Sequence, residues 1–199
     1  MSGGTVPQGR RQQVFAFVVC SLDGYHEGPG GELDWGHYDE EFFDWNVRQT
    51  REVGALLLGR RTYEHFADVW PPGREAAERL PEIAAFMNAV PKTVVTDSGR
   101  ITPWENTRVV DGAGLEAEVA RLRAESAGDV AVLGSSGLTG TLLERGLVDE
   151  LRILVQPVLL GRGRSMYAGL RERAELTPGA VTVFRSGNVL LRYRPAGAA

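Results

Sequence analysis

The sequence predicts an α/β protein built on a mostly parallel sheet, with helices on both faces and an antiparallel hairpin at the C-terminal end. Three observations carry this expectation. Apolar runs of strand length alternate with segments whose apolar residues recur at helical spacing, the pattern of a sheet whose crossovers are helices. Val14 to Ser21 (VFAFVVCS) is continuously apolar rather than alternating, which calls for a strand buried on both faces. Near the C-terminus, Val181–Phe184 and Val189–Tyr193 flank Ser186-Gly187-Asn188, a turn signal between two strand-forming stretches.

Each element follows in order. Residues 1–12, rich in Gly, Pro and Gln, read as a flexible arm, and residues 196–199 as a frayed tail. One domain is expected over 13–195, since no repeat or linker divides it. After the first strand, Ser21-Leu22-Asp23-Gly24 opens a glycine-rich loop that runs through Gly28-Pro29-Gly30-Gly31. Asp39 to Val53 is expected to be helical, with Phe43, Val47 and Thr50 on one face. Asp39 suits its N-cap, and Tyr38 and Phe43 stand at hydrophobic-staple spacing. Ala55–Leu58 is a short strand ending at Gly59, and Arg74 to Met87 is helical with an interruption at Pro81. Lys92–Thr96 is a strand, Leu115, Val119 and Leu122 make a helical stripe, and Val130–Leu133 is a strand. A helix from about Leu138 to Arg145 leads into a strand over Glu150–Val155.

Composition narrows the function classes. At 199 residues, 43% hydrophobic and 24% charged, the chain is long enough for one full core. A formal net charge of -4, with acids and bases interspersed, argues against a nucleic-acid partner. No apolar run is long enough to cross a bilayer, and the N-terminus lacks a signal-peptide core, so a soluble cytoplasmic protein is expected. The single cysteine, Cys20, excludes an internal disulfide and a multi-cysteine zinc site, and its apolar neighbours mark it as a buried small residue. His26, His37 and His65 lack metal-ligand spacing and read as solvated positions, so no metal is expected. The four tryptophans read as core or rim aromatics.

In sheets of this kind ligands bind beyond the carboxyl ends of the strands, so the junctions there carry the chemistry. Leu133-Gly-Ser-Ser-Gly-Leu-Thr-Gly140 lies between a strand and a helix, where small residues admit a ligand to the backbone and free N–H groups favour phosphate. It fits neither a Rossmann nor a Walker pattern, and a tight turn with close strand–helix packing explains it equally well. Leu58-Gly-Arg-Arg-Thr-Tyr-Glu64 also follows a strand: Arg60 or Arg61 could meet a phosphate or an adenine-ribose and Thr62 could donate, or the arginines are a solvated surface pair. Val95-Thr-Asp-Ser-Gly99 is by itself an ordinary turn. Together the three would form a phosphate- and ribose-binding rim. Asp23, Asp39 and Glu40 are candidate acids for anchoring a ring or supplying a proton, though acids opening a helix also serve as caps. Ser135 and Ser136 share no motif with a histidine, which leaves a hydrolase reading without its base.

In this order and spacing, the segments resemble the dihydrofolate reductase superfamily, and most closely the bacterial proteins that share the fold of the riboflavin-biosynthesis reductase domain. The matching segments are Ser21-Leu-Asp-Gly-Tyr25, Glu32-Leu-Asp-Trp35, Leu58 to Glu64, Gly134-Ser-Ser-Gly137, Gly146-Leu-Val-Asp-Glu-Leu151 and Gln156-Pro-Val-Leu-Leu-Gly-Arg-Gly163. They span roughly residues 14 to 194. The resemblance implies a dihydrofolate-reductase-like three-layer fold of about eight strands with a dinucleotide across its carboxyl edge. It implies Val19 near the nicotinamide, and Arg60 and Thr62 on the phosphates, with Arg61 beside them. It further implies Thr96, Asp97 and Ser98 near the adenosine ribose. Gly134, Ser135, Ser136, Gly137, Leu138 and Thr139 would wrap the pyrophosphate, with a strained or cis Gly134–Ser135 link. Asp23 and Trp35 would line a loop over the substrate, and Asp39 or Glu40 matches, within a residue, the substrate-facing acid of dihydrofolate reductases.

Three departures qualify the resemblance. Asp97 stands where relatives often place Ser or Arg near the 2′-phosphate, which should disfavour NADPH unless Arg100 or Arg61 compensates. Leu33-Asp34 replaces the Leu-Pro of dihydrofolate reductases, which argues against folate. No deaminase segment accompanies the reductase-like one, which leaves the riboflavin pathway without support. The region 161–163 resembles the family's dimer contact, which implies a homodimer. The expected function is therefore reduction of a small pterin- or pyrimidine-like heterocycle by NADPH, or NADH, in the manner of a 5-amino-6-ribosylaminouracil reductase. The alternative is a non-catalytic dinucleotide- or flavin-binding module on the same fold.

Overall fold

The run Val14–Ser21 forms β1, and its alternate side chains enter two different cores. This is seen in a computed structural model that describes residues 11–196. The expected arm therefore lies outside the described residues except for Arg11 and Gln12, and the expected tail except for Ala196. Val14, Ala16, Val18 and Cys20 face one side of the sheet, Phe15 and Phe17 the other. A strand covered on both sides gains from apolar residues at every position, which is why polar alternation is absent. Full burial of a ring such as Phe15 contributes on the order of 2 kcal/mol.

After β1 come β2 (Tyr25–Glu27), α1 (Glu40–Thr50), β3 (Val53–Gly59), α2 (Arg60–Val69), α3 (Glu75–Arg79), α4 (Pro81–Ala89) and β4 (Lys92–Val95). Then follow β5 (Thr107–Val110), α5 (Leu115–Glu125), β6 (Asp129–Leu133), α6 (Ser136–Glu144), β7 (Glu150–Gln156), β8 (Arg164–Ser165), β9 (Leu176–Val183) and β10 (Val189–Pro195). One eight-stranded sheet runs in the order β5-β4-β3-β6-β1-β7-β10-β9, and β2 pairs with β8 in a separate ribbon. Pairing is parallel from β5 to β7 and antiparallel across β7, β10 and β9, so the closing hairpin stands where it was expected.

The helices divide between the faces as their stripes dictate. Leu115, Val119 and Leu122 of α5 and Leu142 of α6 close the core on the Val14 side. Tyr63 and Ala67 of α2 and Ile83 and Met87 of α4 close the Phe15 side, while Phe42 of α1 packs with Leu154, Phe184 and Leu190. Pro81 is the first residue of α4, where its missing N–H costs nothing, so it separates α3 from α4 within the stretch expected to be interrupted. The helix expected over Asp39–Val53 stops at Thr50, because Val53 already pairs with Asp129.

Buried Lys92 caps the end of α4. Its Nζ donates to Met87 O and Val90 O, both at 2.8 Å, and burial brings its pKa down to about 8. The parallel strands β1, β3, β4, β6 and β7 all turn their carboxyl ends to one edge of the sheet. The cavity lies there.

Candidate functional site

Two junctions between neighbouring strands and their helices form the centre of the site. β3 passes into α2 through Gly59, and β6 passes into α6 through Gly134 and Ser135. Gly134 (φ 61) and Ser135 (φ 54) are both left-handed, a conformation that costs a non-glycine residue about 1–2 kcal/mol. Ser135 is held in it by its neighbours. Its Oγ shares a hydrogen bond with Thr62 Oγ1 at 2.9 Å, Gly134 N donates to Phe17 O at 2.9 Å, and Thr139 Oγ1 donates to Gly134 O at 3.2 Å. The link is trans, so the strain expected here resides in φ and not in a cis peptide. A side chain at Gly59 would place its Cβ 2.3 Å from Ser135 Oγ, which is why the first junction needs glycine.

The first turns of α2 and α6 differ from those of the other helices. Both lack an acid in the first turn, whereas α1, α3, α4 and α5 each carry at least one; a side-chain cap is present on α1 and absent from the other five. Their leading N–H groups have no intrahelical acceptor, and each helix dipole adds about half a positive charge at that end. Both junctions border one cavity of about 950 Å³. Among the described residues, Arg60, Arg61, Arg79, Arg145 and Arg164 contribute to its lining, against one carboxylate, Glu27. An anion-attracting site thus lies in a chain whose net charge is -4.

Among the residues expected to form the site, Val19, Trp35, Arg60, Arg61, Thr62, Gly134, Ser135, Ser136, Gly137 and Leu138 all line this cavity. Arg60 Nη1 donates to Ser98 Oγ at 2.7 Å, and Thr96 Oγ1 and Ser98 Oγ lie 3.0 Å apart, which joins the third junction to the rim. Thr96, Asp97 and Ser98 do not themselves line the cavity. Asp97 Oδ1 accepts from Gly112 N at 2.9 Å, so a backbone amide offsets part of its charge. Thr139 is buried and braces the turn from behind.

The expected acids lie elsewhere. Asp39 caps α1: Oδ1 accepts from Phe42 N and Oδ2 from Ser186 N, both at 2.9 Å, and these donors hold its pKa below the usual value. Its staple with Tyr38 and Phe43 forms, with ring centroids 6.1 Å apart. Asp23 ties two loops together, accepting from Ser21 Oγ, Gly161 N and Leu160 N, and these bonds lower its pKa, the hydroxyl's most of all. Glu40 is exposed in the first turn of α1. None of the three lines the cavity.

Several lining residues were not among the expected site residues. Glu27, on β2, accepts from Arg61 Nη1 at 3.2 Å and from Arg164 Nη1 at 3.3 Å, so it bridges α2 to β8. Beside it His26, expected to be solvated, has a buried Nε2 that makes no hydrogen bond and lies 3.9 Å from Glu27 Oε1, and burial lowers its pKa, keeping the ring neutral near pH 7. Asn46, Gln49 and Thr50 of α1 form the deeper wall. A spacing rule could have found the α1 residues, since they continue the Phe42–Phe43 face. Nothing local announces a three-residue strand such as β2. Cys20 is buried, and desolvation raises its pKa to about 11, in keeping with a small core residue.

Comparison with known proteins agrees with this geometry. Residues 12–190 match the family model described as the RibD C-terminal domain. The Bacillus subtilis (strain 168) protein YyaP is 25% identical over 189 residues, 92% of this chain and 95% of its own length. A putative riboflavin biosynthesis protein from Shewanella sp. PV-4 superposes with a TM-score of 0.71 at 21% identity, covering 92% of this chain and 99% of that one. The diaminohydroxyphosphoribosylaminopyrimidine deaminase/5-amino-6-(5-phosphoribosylamino)uracil reductase of Thermotoga maritima gives 0.70 at 15% identity, over 94% of this chain and 57% of that one. Enterococcus faecalis dihydrofolate reductase, solved with NADP(H), gives 0.58 at 17% identity, over 92% of this chain and 96% of that one. These likenesses establish a dihydrofolate-reductase-like fold. No helix among the described residues is long and apolar enough to cross a membrane.

Proposed function

The chain belongs to the RibD C-terminal domain family, and from that premise we propose that it is an NADPH-dependent reductase that transfers a hydride to a small, flat, pterin- or pyrimidine-like heterocycle. The observation that carries the reading is the pair of uncapped, acid-free helix N-termini opening into one arginine-lined cavity. A dinucleotide suits that donor set: two phosphates need several N–H donors and positive charge, and Gly137 leaves open space where a side chain would stand.

In this reading Arg60, Arg61, Thr62 and the segment Gly134–Thr139 hold the phosphates. Ser98, through Arg60, sits with Thr96 and Asp97 at the adenosine end. Val19 flanks the nicotinamide, and Trp35 covers the substrate. The bound cofactor supplies the hydride. The protein aligns the two rings and keeps water away, so catalysis rests mainly on positioning. The acid's place, expected at Asp39, Glu40 or Asp23, we assign to Glu27, the carboxylate that faces the cavity; it orients the water from which the ring takes its proton.

A second reading, a non-catalytic binding module, draws on the same observation that the three expected acids stand outside the cavity. Tryptophan fluorescence titration with NADPH and with NADH tests the proposal. Micromolar binding, weakened by Arg60→Ala, is the expected outcome, and turnover of an added ring compound then excludes the module. Absence of binding to either cofactor up to millimolar concentration removes the reductase reading. The homodimer is part of the same proposal: light scattering should return twice the 21.7 kDa chain mass, and a monomer would remove it.

A further inference from the structure

A chain of polar groups runs from the protein interior to the deeper wall of the cavity, and cofactor binding makes no use of it. It begins at Arg152 on β7, which is 4% exposed. Arg152 is fixed on three sides: Nε donates to Glu150 Oε1 at 2.5 Å, the guanidinium lies 3.7 Å from the centre of the Phe15 ring, and Nη1 donates to Gln49 Oε1 at 3.0 Å. Glu150 also accepts from Arg192, so the interior charges are paired.

An arginine carries donors alone, so it decides which way the next group faces. Gln49, buried at 6% exposure, must turn its carbonyl oxygen to Arg152 and its Nε2 away. That Nε2 donates to Asn46 Oδ1, one helical turn earlier, at 3.5 Å. With its oxygen engaged on the helix, Asn46 keeps its Nδ2–H groups for the cavity that it lines. The rest of this wall of α1 is Phe42, Phe43 and Thr50, and the Thr50 hydroxyl already donates to Val47 O. The wall therefore offers N–H donors and no carboxylate.

We propose that Asn46 reads the edge of the substrate ring through its Nδ2–H donors, with Gln49 and Arg152 as positioning residues that fix the direction of its amide. The ligand class is a flat ring that presents an acceptor there, a carbonyl oxygen or an unprotonated ring nitrogen, in preference to an amino group. This rests on the reading that the cavity holds a heterocycle beside the dinucleotide. An amino group set against Nδ2–H would leave two buried donors unpaired, which corresponds to a discrimination of about tenfold or more.

Uracil and 1,3-diaminobenzene are suitable probes, being similar in size, the first with carbonyl edges and the second with amino edges and no ring nitrogen to accept. Each is titrated calorimetrically into the protein saturated with NADP+, and NADPH binding is measured in parallel. Uracil should bind about tenfold more tightly or better. Asn46→Asp, which replaces donors by acceptors, should invert the ratio, and Gln49→Leu, which frees the Asn46 amide to turn, should bring it towards one. Thermal melting checks that each variant is folded, and the wild-type ratio carries the test should a variant melt. Tighter binding of 1,3-diaminobenzene to the wild type, or an unchanged ratio in Asn46→Asp, overturns the proposal. Failure of both rings to bind while NADPH still does overturns it alone; loss of NADPH binding as well takes the reductase reading with it.

Discussion

Helices that begin at the carboxyl edge of the sheet do so in two ways, α1 and α5 with acids in the first turn and α2 and α6 without. α1 is finished at its N-terminus: Asp39 accepts from Phe42 N, Glu40 and Glu41 face the dipole, and Tyr38 staples the entering chain. α2 and α6 are left open, with Gly59 and Ser135 as N-caps, no side-chain acceptor and no acid in the first turn. A helix end that serves only the fold can carry its own negative charge, as α1, α3, α4 and α5 do, because orphan N–H groups and the dipole favour an acid there. An end that awaits an anion must forgo that stabilisation. The same distinction separates the two acids-at-a-helix readings that the sequence left open, and Asp39 falls on the side of the fold.

Closing one of the open ends should have the largest effect. Gly137 sits in the first turn of α6 with nothing within 4 Å of an added Cβ. Gly137→Glu should raise the melting temperature, since glycine is a poor helix former and an acid suits the dipole. It should also weaken NADPH about a hundredfold or more through like-charge contact with the phosphates. Opposite signs in the two assays are the expected signature, and a variant that still binds NADPH normally would break the comparison.

Arg60→Ala comes next. Removing a charged donor should weaken NADPH by about tenfold or more, with a smaller loss for NADH if the contact is to the 2′-phosphate. Equal losses for both cofactors would move Arg60 to the pyrophosphate. Asp97→Asn should sharpen the preference for NADPH only a few-fold, because Gly112 N already offsets part of its charge. A change of preference beyond tenfold would mean that the carboxylate faces the cofactor.

Asp39→Ala should leave NADPH binding untouched and lower the melting temperature. The pH dependence has a definite sign. The folded pKa of Asp39 lies below its ordinary 3.8, so its contribution is present above pH 3.8 and is lost as pH falls through the lower, folded value. The difference in melting temperature between wild type and variant should therefore persist at neutral pH and vanish in acid. A loss of cofactor affinity in this variant would place Asp39 back in the site.

The fold was legible because its signals are local and agree with one another: the unbroken run of β1, the stripe of α5, the stop at Pro81 and the hairpin around Gly187 each point the same way. β5 was not foreseen, since four edge residues (TRVV) form no pattern without β4 beside them. Nor was the β2–β8 ribbon, whose strands of three and two residues exist only as a pair. The three junctions could be read because each is one contiguous segment. The charge of the cavity could not, because Arg79, Arg145 and Arg164 come from three distant stretches and meet only on folding. The Arg152–Gln49–Asn46 chain was hidden for the same reason, joining β7 to α1 across 103 residues of sequence.

A crystal structure of the protein with NADP+ tests the central claim most directly. The account predicts the pyrophosphate between α2 and α6, within hydrogen-bond distance of backbone N–H groups in the first turns of both helices. A pyrophosphate held at one of these ends only, or resting on side chains away from both, would contradict it.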